Sequence, residues 1–219
     1  MMRVFKRCFV VLVALGFLGV ACQKEDVKPK KDITPKAEFT EKCVEKNVPK
    51  KGAPFAPLTG ELRLCYSEGQ WKKSQFFKAG KRHGKHVEWY ENGFKRYECN
   101  FDNDLRDGLC QMWYDDGQKA HQLKWEKGKR VGSALAWYPS GQKISEVQYK
   151  DGKAYGKATN WYPNGQKRME GAHKKDGAAC GQISCWDYAG GPITCPIILR
   201  HKEKGCQANA SGMFCTPCD

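Results

Sequence analysis

Cysteines have the most reactive side chains in this 219-residue sequence, which contains 12 of them. Six lie after residue 179, and the last two form the pair in Cys215-Thr216-Pro217-Cys218. A Cys-x-x-Cys pair can be redox-active or supply half of a zinc site. Zinc would need a second pair of similar spacing, whereas Cys180 and Cys185 are farther apart. Structural disulfides are therefore the expected role of these cysteines, as in exported proteins.

The other reactive side chains form no recognisable active site. The sequence contains no His-Glu-x-x-His zinc motif, phosphate-binding loop or nucleophile motif. The five histidines are scattered along the chain: His83, His86, His121, His173 and His201. We therefore expect a protein that is not an enzyme, with no catalytic residue, no cofactor and no metal.

The first 21 residues have the pattern of an export signal. Arg3, Lys6 and Arg7 precede an apolar run, Cys8 to Ala21, that is too short to span a bilayer. The run ends in Leu-Gly-Val-Ala before Cys22, which resembles a bacterial lipoprotein signal. That resemblance implies that Cys22 is lipidated and becomes the first mature residue. An ordinary secretory signal cut after Ala21 is the alternative, but lipidation leaves an even number of cysteines for disulfides.

Residues 22–57 are expected to be a charged tether. Lys alternates with Glu and Asp there, and prolines interrupt the segment, so it has little apolar surface to compensate the entropy of ordering. A lipidated Cys22 would place the protein in the bacterial cell envelope. Gln23 replaces the aspartate that marks inner-membrane retention in some bacteria, which favours the outer membrane, facing the periplasm or the cell surface.

A repeat of 24 residues organises the following part of the chain. Five copies start at Gly60, Gly84, Gly108, Gly132 and Gly156, within a repeat domain of residues 58–180. The first and tenth residues of every copy are Gly, and the seventh is Tyr. Trp precedes that Tyr in four copies, and the eighteenth residue is aromatic in four copies. Residues 181–219 then contain a degenerate sixth copy and a cysteine-rich cap, because repeat arrays need a closing unit.

Each repeat predicts two short strands and two turns. The Tyr-Pro-Asn-Gly of residues 162–165 favours a type I turn that ends in a left-handed Gly. A second turn is expected near Lys127-Gly128-Lys129 and Asp151-Gly152-Lys153. Strands of about five to seven residues fit between these turns.

These residues resemble the MORN-repeat family in its bacterial variant, whose members are often grouped as YwqK-like antitoxins. The resemblance covers residues 60 to 188 and is carried by Gly156 and by the run from Trp161 to Lys167. It implies an all-β fold, namely an extended antiparallel meander with one hairpin per repeat, here closed by a disulfide-rich C-terminal cap. It also implies a binding or scaffolding role.

The aromatic columns predict one packed face and one surface. Trp and Tyr are adjacent in the sequence, so they are expected to point to opposite faces of the sheet. We expect the Trp column to pack between neighbouring repeats. The Tyr column is then the candidate binding surface: Tyr90, Tyr114, Tyr138 and Tyr162. A column of lysines is expected to solubilise the sheet rather than to bind phosphate.

Two disulfides can be proposed from the sequence. Cys99 and Cys110 flank a turn symmetrically and should lie opposite each other on adjacent strands. Cys43 and Cys65 remain upstream, and pairing them would fasten the tether to the first repeat. The six C-terminal cysteines allow 15 connectivities, which the sequence does not distinguish.

The leading hypothesis is a non-enzymatic envelope lipoprotein whose sheet binds a protein or an anionic envelope polymer. The formal net charge of +14 is consistent with anionic partners. The alternative is a YwqK-like antitoxin or immunity protein that neutralises a toxin. Export argues against a nucleic-acid partner.

Overall fold

The computed structural model describes residues 9–10, 20–21, 42–47, 58–67, 69–195, 207–209, 212–214 and 217–218. Its contacts divide the chain into one unit of residues 1–30 and a second of residues 31–219. In the first unit, strand β1 (Phe9–Val10) pairs antiparallel with β2 (Val20–Ala21). Cys22 and most of the predicted tether lie outside the described residues.

The second unit is an open antiparallel sheet, and the all-β meander expected from the sequence is confirmed. Its strands along the repeats are β3 (Gly60–Cys65), β4 (Trp71–Lys78), β5 (Lys81–Trp89), β6 (Lys95–Asp102), β7 (Leu105–Arg106), β8 (Gly108–Trp113), β9 (Lys119–Glu126), β10 (Lys129–Trp137), β11 (Lys143–Lys150), β12 (Lys153–Trp161), β13 (Lys167–His173) and β14 (Ala179–Trp186). From β3 to β14 each strand pairs with the next along the chain, except that β6 pairs with β8 and the two-residue strand β7 pairs with β6.

The C-terminal strands cover the last edge of the meander. They are β15 (Pro192–Ile193), β16 (Gln207–Asn209) and β17 (Gly212–Phe214). Both β15 and β17 pair with β14, and β16 pairs with β17. Disulfides join Cys180 to Cys218 and Cys185 to Cys195, so this cap is covalently attached to β14.

The first edge is fastened by a short segment, residues 42–47. Cys43 forms a disulfide with Cys65, and its backbone amide donates a hydrogen bond to the carbonyl oxygen of Gly69. Lys46 forms an isolated bridge with Arg63 of β3. This is the attachment that the sequence suggested for the end of the tether. Cys99 and Cys110, which the sequence placed opposite each other, are also joined by a disulfide.

Both kinds of turn have the chemistry that the sequence indicates. Gly165 has φ +84°, and its amide donates to the carbonyl oxygen of Tyr162 at 2.9 Å. The second turn contains two residues with positive φ, Lys127 and Gly128 in one copy and Asp151 and Gly152 in the next. Paired left-handed residues are typical of the type I′ hairpin turn, whose twist matches that of the strands.

From the second repeat onward, the first Gly marks an irregularity that was not predicted from the sequence. Gly132 has φ +66°, and three residues of β10 there face a single residue of β9. Gly156 has φ +70° at the equivalent point of β12. These β-bulges add residues to one strand of the pair, and several strands consequently have eight or nine residues rather than the expected five to seven.

Candidate functional site

A concavity of about 530 Å³ lies on one face of the second and third repeats. Strands β5 to β9 and the adjoining turns provide its lining. The lining combines cationic, aromatic and apolar side chains: Arg82, His86, Glu88, Tyr90, Arg96, Tyr97, Phe101, Arg106, Met112, Trp113, Tyr114, Ala120 and His121. Concave surfaces with aromatic walls and a few converging polar groups are typical binding sites.

Positive charge exceeds negative charge in this lining. Three arginines face one carboxylate, Glu88, which is already engaged within the protein. Its Oε1 lies 3.0 Å from His86 Nε2, and its Oε2 pairs with Arg96. The hydrogen bond from His86, together with that from Arg96, outweighs burial and lowers the pKa of Glu88 from 4.5 to about 2. Glu88 is thus compensated by Arg96. Of the other two lining arginines, Arg82 pairs with Asp104, and Arg106 has no carboxylate partner among the described residues.

Arginines and aromatic side chains alternate across the strands at the edge of this concavity. In register, Phe77 pairs with Arg82, Phe101 with Arg106, and Trp125 with Arg130. Directly paired residues point to the same face of a sheet, so the arginines lie between the aromatic rings of successive hairpins. We call these side chains, in the order of the strands, the arginine–aromatic row: Phe77, Arg82, Phe101, Arg106, Trp125, Arg130 and Tyr149.

The guanidinium groups of the row lie on the rings. The Cζ atom of Arg82 is 4.3 Å from the ring centroid of Phe101, and that of Arg106 is 4.9 Å from Trp125. Arg130 lies 5.3 Å from Trp125 and 5.4 Å from Tyr149. These distances are within the range of cation–π attraction.

Only one arginine of the row pairs with a carboxylate among the described residues. Arg82 Nε lies 3.0 Å from Oδ1 of Asp104. Arg106 Nε instead approaches the hydroxyl of Tyr97 at 3.3 Å, and Arg130 Nη1 approaches the hydroxyl of Tyr149 at 3.4 Å. Arg106 and Arg130 are exposed, so they retain donors for a ligand.

This row was not among the sites predicted from the sequence. The signal was present as a third periodic column, because Arg82, Arg106 and Arg130 recur at the 24-residue period. Recognising the column as a surface required the strand register, which places each arginine opposite an aromatic side chain across the type I′ turn.

The tyrosine column is placed differently from the simple surface that was expected. Tyr90 and Tyr114 line the concavity, but Tyr138 and Tyr162 do not. All four side chains are half-buried, and each hydroxyl donates to the backbone carbonyl oxygen of the Trp in the following repeat, at 2.8–3.2 Å. Burial raises the pKa of Tyr90 and of Tyr114. The tyrosines therefore connect neighbouring repeats in addition to any role in binding.

The tryptophan and lysine columns meet away from the concavity in the later repeats, although Trp113 of the same column also lines the concavity. Trp161 and Lys167 line a separate groove there with Glu146, Lys157 and Glu170. Lys143 Nζ is 2.7 Å from a carboxylate oxygen of Glu146 and 5.7 Å from the ring centroid of Trp161. The lysines of this column are thus held by ion pairs and rings. Burial of the tryptophans is uneven, since Trp89 and Trp113 are buried and Trp137 and Trp161 are half-buried.

Over residues 69–195 and the shorter described segments, no group of His, Cys, Asp or Glu has the arrangement of a metal site. In the same parts of the chain, no helix has the length and apolar character needed to cross a membrane. The predicted lipidation site, Cys22, is outside them.

Comparison with known families identifies two of the repeats. The MORN repeat variant family matches residues 82–103 and 130–151. Each matched MORN repeat variant begins at an arginine of the row and ends in a type I′ turn. No curated protein matched the chain.

Proposed function

We propose that this protein is a non-enzymatic binding scaffold of the bacterial cell envelope, in which the β-sheet of MORN repeat variants presents the concavity to a protein partner. The observation that carries the proposal is the excess of arginine over available carboxylate on an aromatic surface. Exposed cationic groups on an apolar face favour recognition of an anionic surface.

The partner can be identified by in-cell photo-crosslinking from the concavity. Met112 lines the concavity and is 40% exposed, which makes it suitable for a photoreactive amino acid. Leu109 is a matched control because it belongs to the same strand, is 45% exposed and lies on the opposite face. We expect one defined adduct from position 112, identified by mass spectrometry, and none from position 109. Equal adducts from both positions, or none, would contradict the proposed face.

The envelope location rests on the lipoprotein-like signal and on the disulfides. Four disulfides among the described residues suit an exported protein. Intact-mass analysis of the membrane fraction should detect the lipid on Cys22, and Cys22→Ser should release the protein from membranes. A soluble protein with an unmodified Cys22 would contradict lipid anchoring but would leave the binding face untouched.

An antitoxin or immunity role is the alternative suggested by the resemblance to YwqK-like proteins. It predicts that the adduct formed at position 112 is a toxin and that cells without this protein become sensitive to it. An adduct with a resident envelope protein would favour the scaffold.

A further inference from the structure

The arginine–aromatic row has features of a binding site for an extended acidic chain. It crosses the strands rather than following one strand, and its aromatic and cationic groups alternate. Arg106 and Arg130 are the members that carry exposed guanidinium groups without a carboxylate partner among the described residues. A planar guanidinium lying on a ring can still donate two parallel hydrogen bonds from its edge to a carboxylate.

Spacing limits the kind of chain that could use both arginines. Arg106 and Arg130 occupy equivalent positions two strands apart. Arg106 lies in β7, which leads directly into β8, and Arg130 lies in β10. Strand β9 is the one strand between β8 and β10. Neighbouring strands are about 4.8 Å apart, so equivalent positions are separated by about 9.6 Å. A polyproline II chain has three residues per turn and rises about 3.1 Å per residue, which brings every third side chain to the same side at about 9.3 Å.

Chemistry between the arginines favours the same conformation. Trp125 lies between Arg106 and Arg130 and is half-buried, and both guanidinium groups lie over its ring, so only the remaining exposed part of the indole is open to a ligand. Aromatic surfaces are the usual receptors for polyproline II segments, whose preformed conformation loses little entropy on binding. A free inorganic anion would use the guanidinium groups but would make no contact with this exposed part of the indole.

We propose that the row binds an acidic peptide segment of a partner protein in the polyproline II conformation, with carboxylates three residues apart on Arg106 and Arg130 and the intervening residues on Trp125. This inference rests on the proposed function, because it names the chemical class of the partner segment at that face.

The direct test is fluorescence anisotropy with two labelled peptides and the disulfide-bonded full chain. One peptide consists of four Asp-Pro-Pro units, and the other has the same composition with its four aspartates contiguous. We expect the spaced peptide to bind about tenfold more tightly, since its carboxylates can reach both arginines at once. Equal affinity of the two peptides would overturn the spacing argument.

Matched variants test the residues. Arg106→Gln with Arg130→Gln should weaken binding of the spaced peptide at least about tenfold. The control is Lys129→Gln with Lys153→Gln, which removes the same charge from exposed positions at the starts of β10 and β12. Arg106→Lys with Arg130→Lys should also weaken binding, because lysine keeps the charge but lacks the planar fork. If the two arginine-to-glutamine changes and the two lysine-to-glutamine changes weaken peptide binding equally, net charge explains the effect and the proposal is overturned.

Vesicles containing phosphatidylglycerol distinguish a membrane from a peptide. Binding to these vesicles with no binding to the spaced peptide would overturn the inference in favour of a lipid surface. A defined adduct at position 112 together with failure of both peptides would leave the scaffold function standing and would remove only the acidic polyproline II segment.

Discussion

The phenolic hydroxyl of Tyr90 donates a hydrogen bond to the backbone carbonyl oxygen of Trp113, 23 residues later, across a distance of 2.9 Å. The same bond recurs from Tyr66 to Trp89 and from Tyr114 to Trp137. These bonds form a ladder along the strand ends where the first turns of the repeats lie. Because each bond joins successive repeats, the ladder couples the stability of one hairpin to that of the next.

Removing one bond of this ladder should have a measurable cost. We expect Tyr114→Phe to lower the free energy of unfolding by about 1 kcal/mol, since the ring stays and the carbonyl oxygen of Trp137 loses a donor. Tyr155→Phe is the control, because Tyr155 lies outside the column and is 45% exposed. Chemical denaturation followed by tryptophan fluorescence measures both. Equal midpoints for the two variants would show that the ladder contributes nothing.

Unequal burial of the tryptophans predicts unequal costs of truncation. Trp113 is 5% exposed, so Trp113→Ala should cost about 3–5 kcal/mol. Trp161→Ala should cost less because Trp161 is only half-buried. Thermal melts of the two variants provide the comparison. A larger loss from Trp161 would mean that packing is concentrated in the last repeats rather than around the concavity.

The bulge glycines predict a conformational penalty without a steric clash. A Cβ added to Gly132 would meet no atom within 4 Å, but φ is +66°. We therefore expect Gly132→Ala to cost about 1–2 kcal/mol through backbone strain. Gly132→Asn should cost less, because Asn tolerates the left-handed region. Calorimetry that finds equal losses for Ala and Asn would point to contacts rather than to φ.

We expect protonation of Glu88 in acid to lower the free energy of unfolding. Its pKa is about 2 in the fold against an ordinary 4.5, so the folded state favours the charged form. The resulting stabilisation is fully present above pH 4.5 and is lost as the pH falls through about 2. Glu88→Gln should therefore make the free energy of unfolding less dependent on pH in this window. Glu91→Gln, a change to an exposed carboxyl in the next turn, is the control. The same pH slope for the wild type and Glu88→Gln would contradict this role.

The remaining cysteines predict one more disulfide. Cys180 and Cys185 use Cys218 and Cys195, which leaves Cys206 and Cys215, both outside the described residues. Strand β16 pairs with β17 so that Gln207 faces Phe214, and these cysteines are the next residue on each side of that pair. We expect non-reducing peptide mapping to find Cys206 linked to Cys215. Free thiols at both positions, or a bond from either to another cysteine, would contradict this pairing.

Much of the architecture followed from recurrence in the sequence. The repeat columns predicted two strands and two turns per repeat, and the resemblance to MORN repeats implied the meander. The symmetry of Cys99 and Cys110 about a second turn placed them opposite each other. The bulge at Gly132 was beyond the sequence argument, because a Gly column alone does not reveal which strand gains a residue. Arg106 and Arg130 were missed for a related reason. Their proximity to Trp125 depends on register across a turn, whereas a sequence pattern gives only their spacing.

The Cys43–Cys65 disulfide determines how mechanical load would enter the sheet. A pull on the chain ahead of Cys43 passes through the sulfur bridge directly to Cys65, the last residue of β3. The chain between the two cysteines is bypassed, and so is the bridge between Lys46 and Arg63. Tension therefore reaches the first hairpin through covalent bonds, and the short edge segment cannot be peeled away before the sheet itself bears the force.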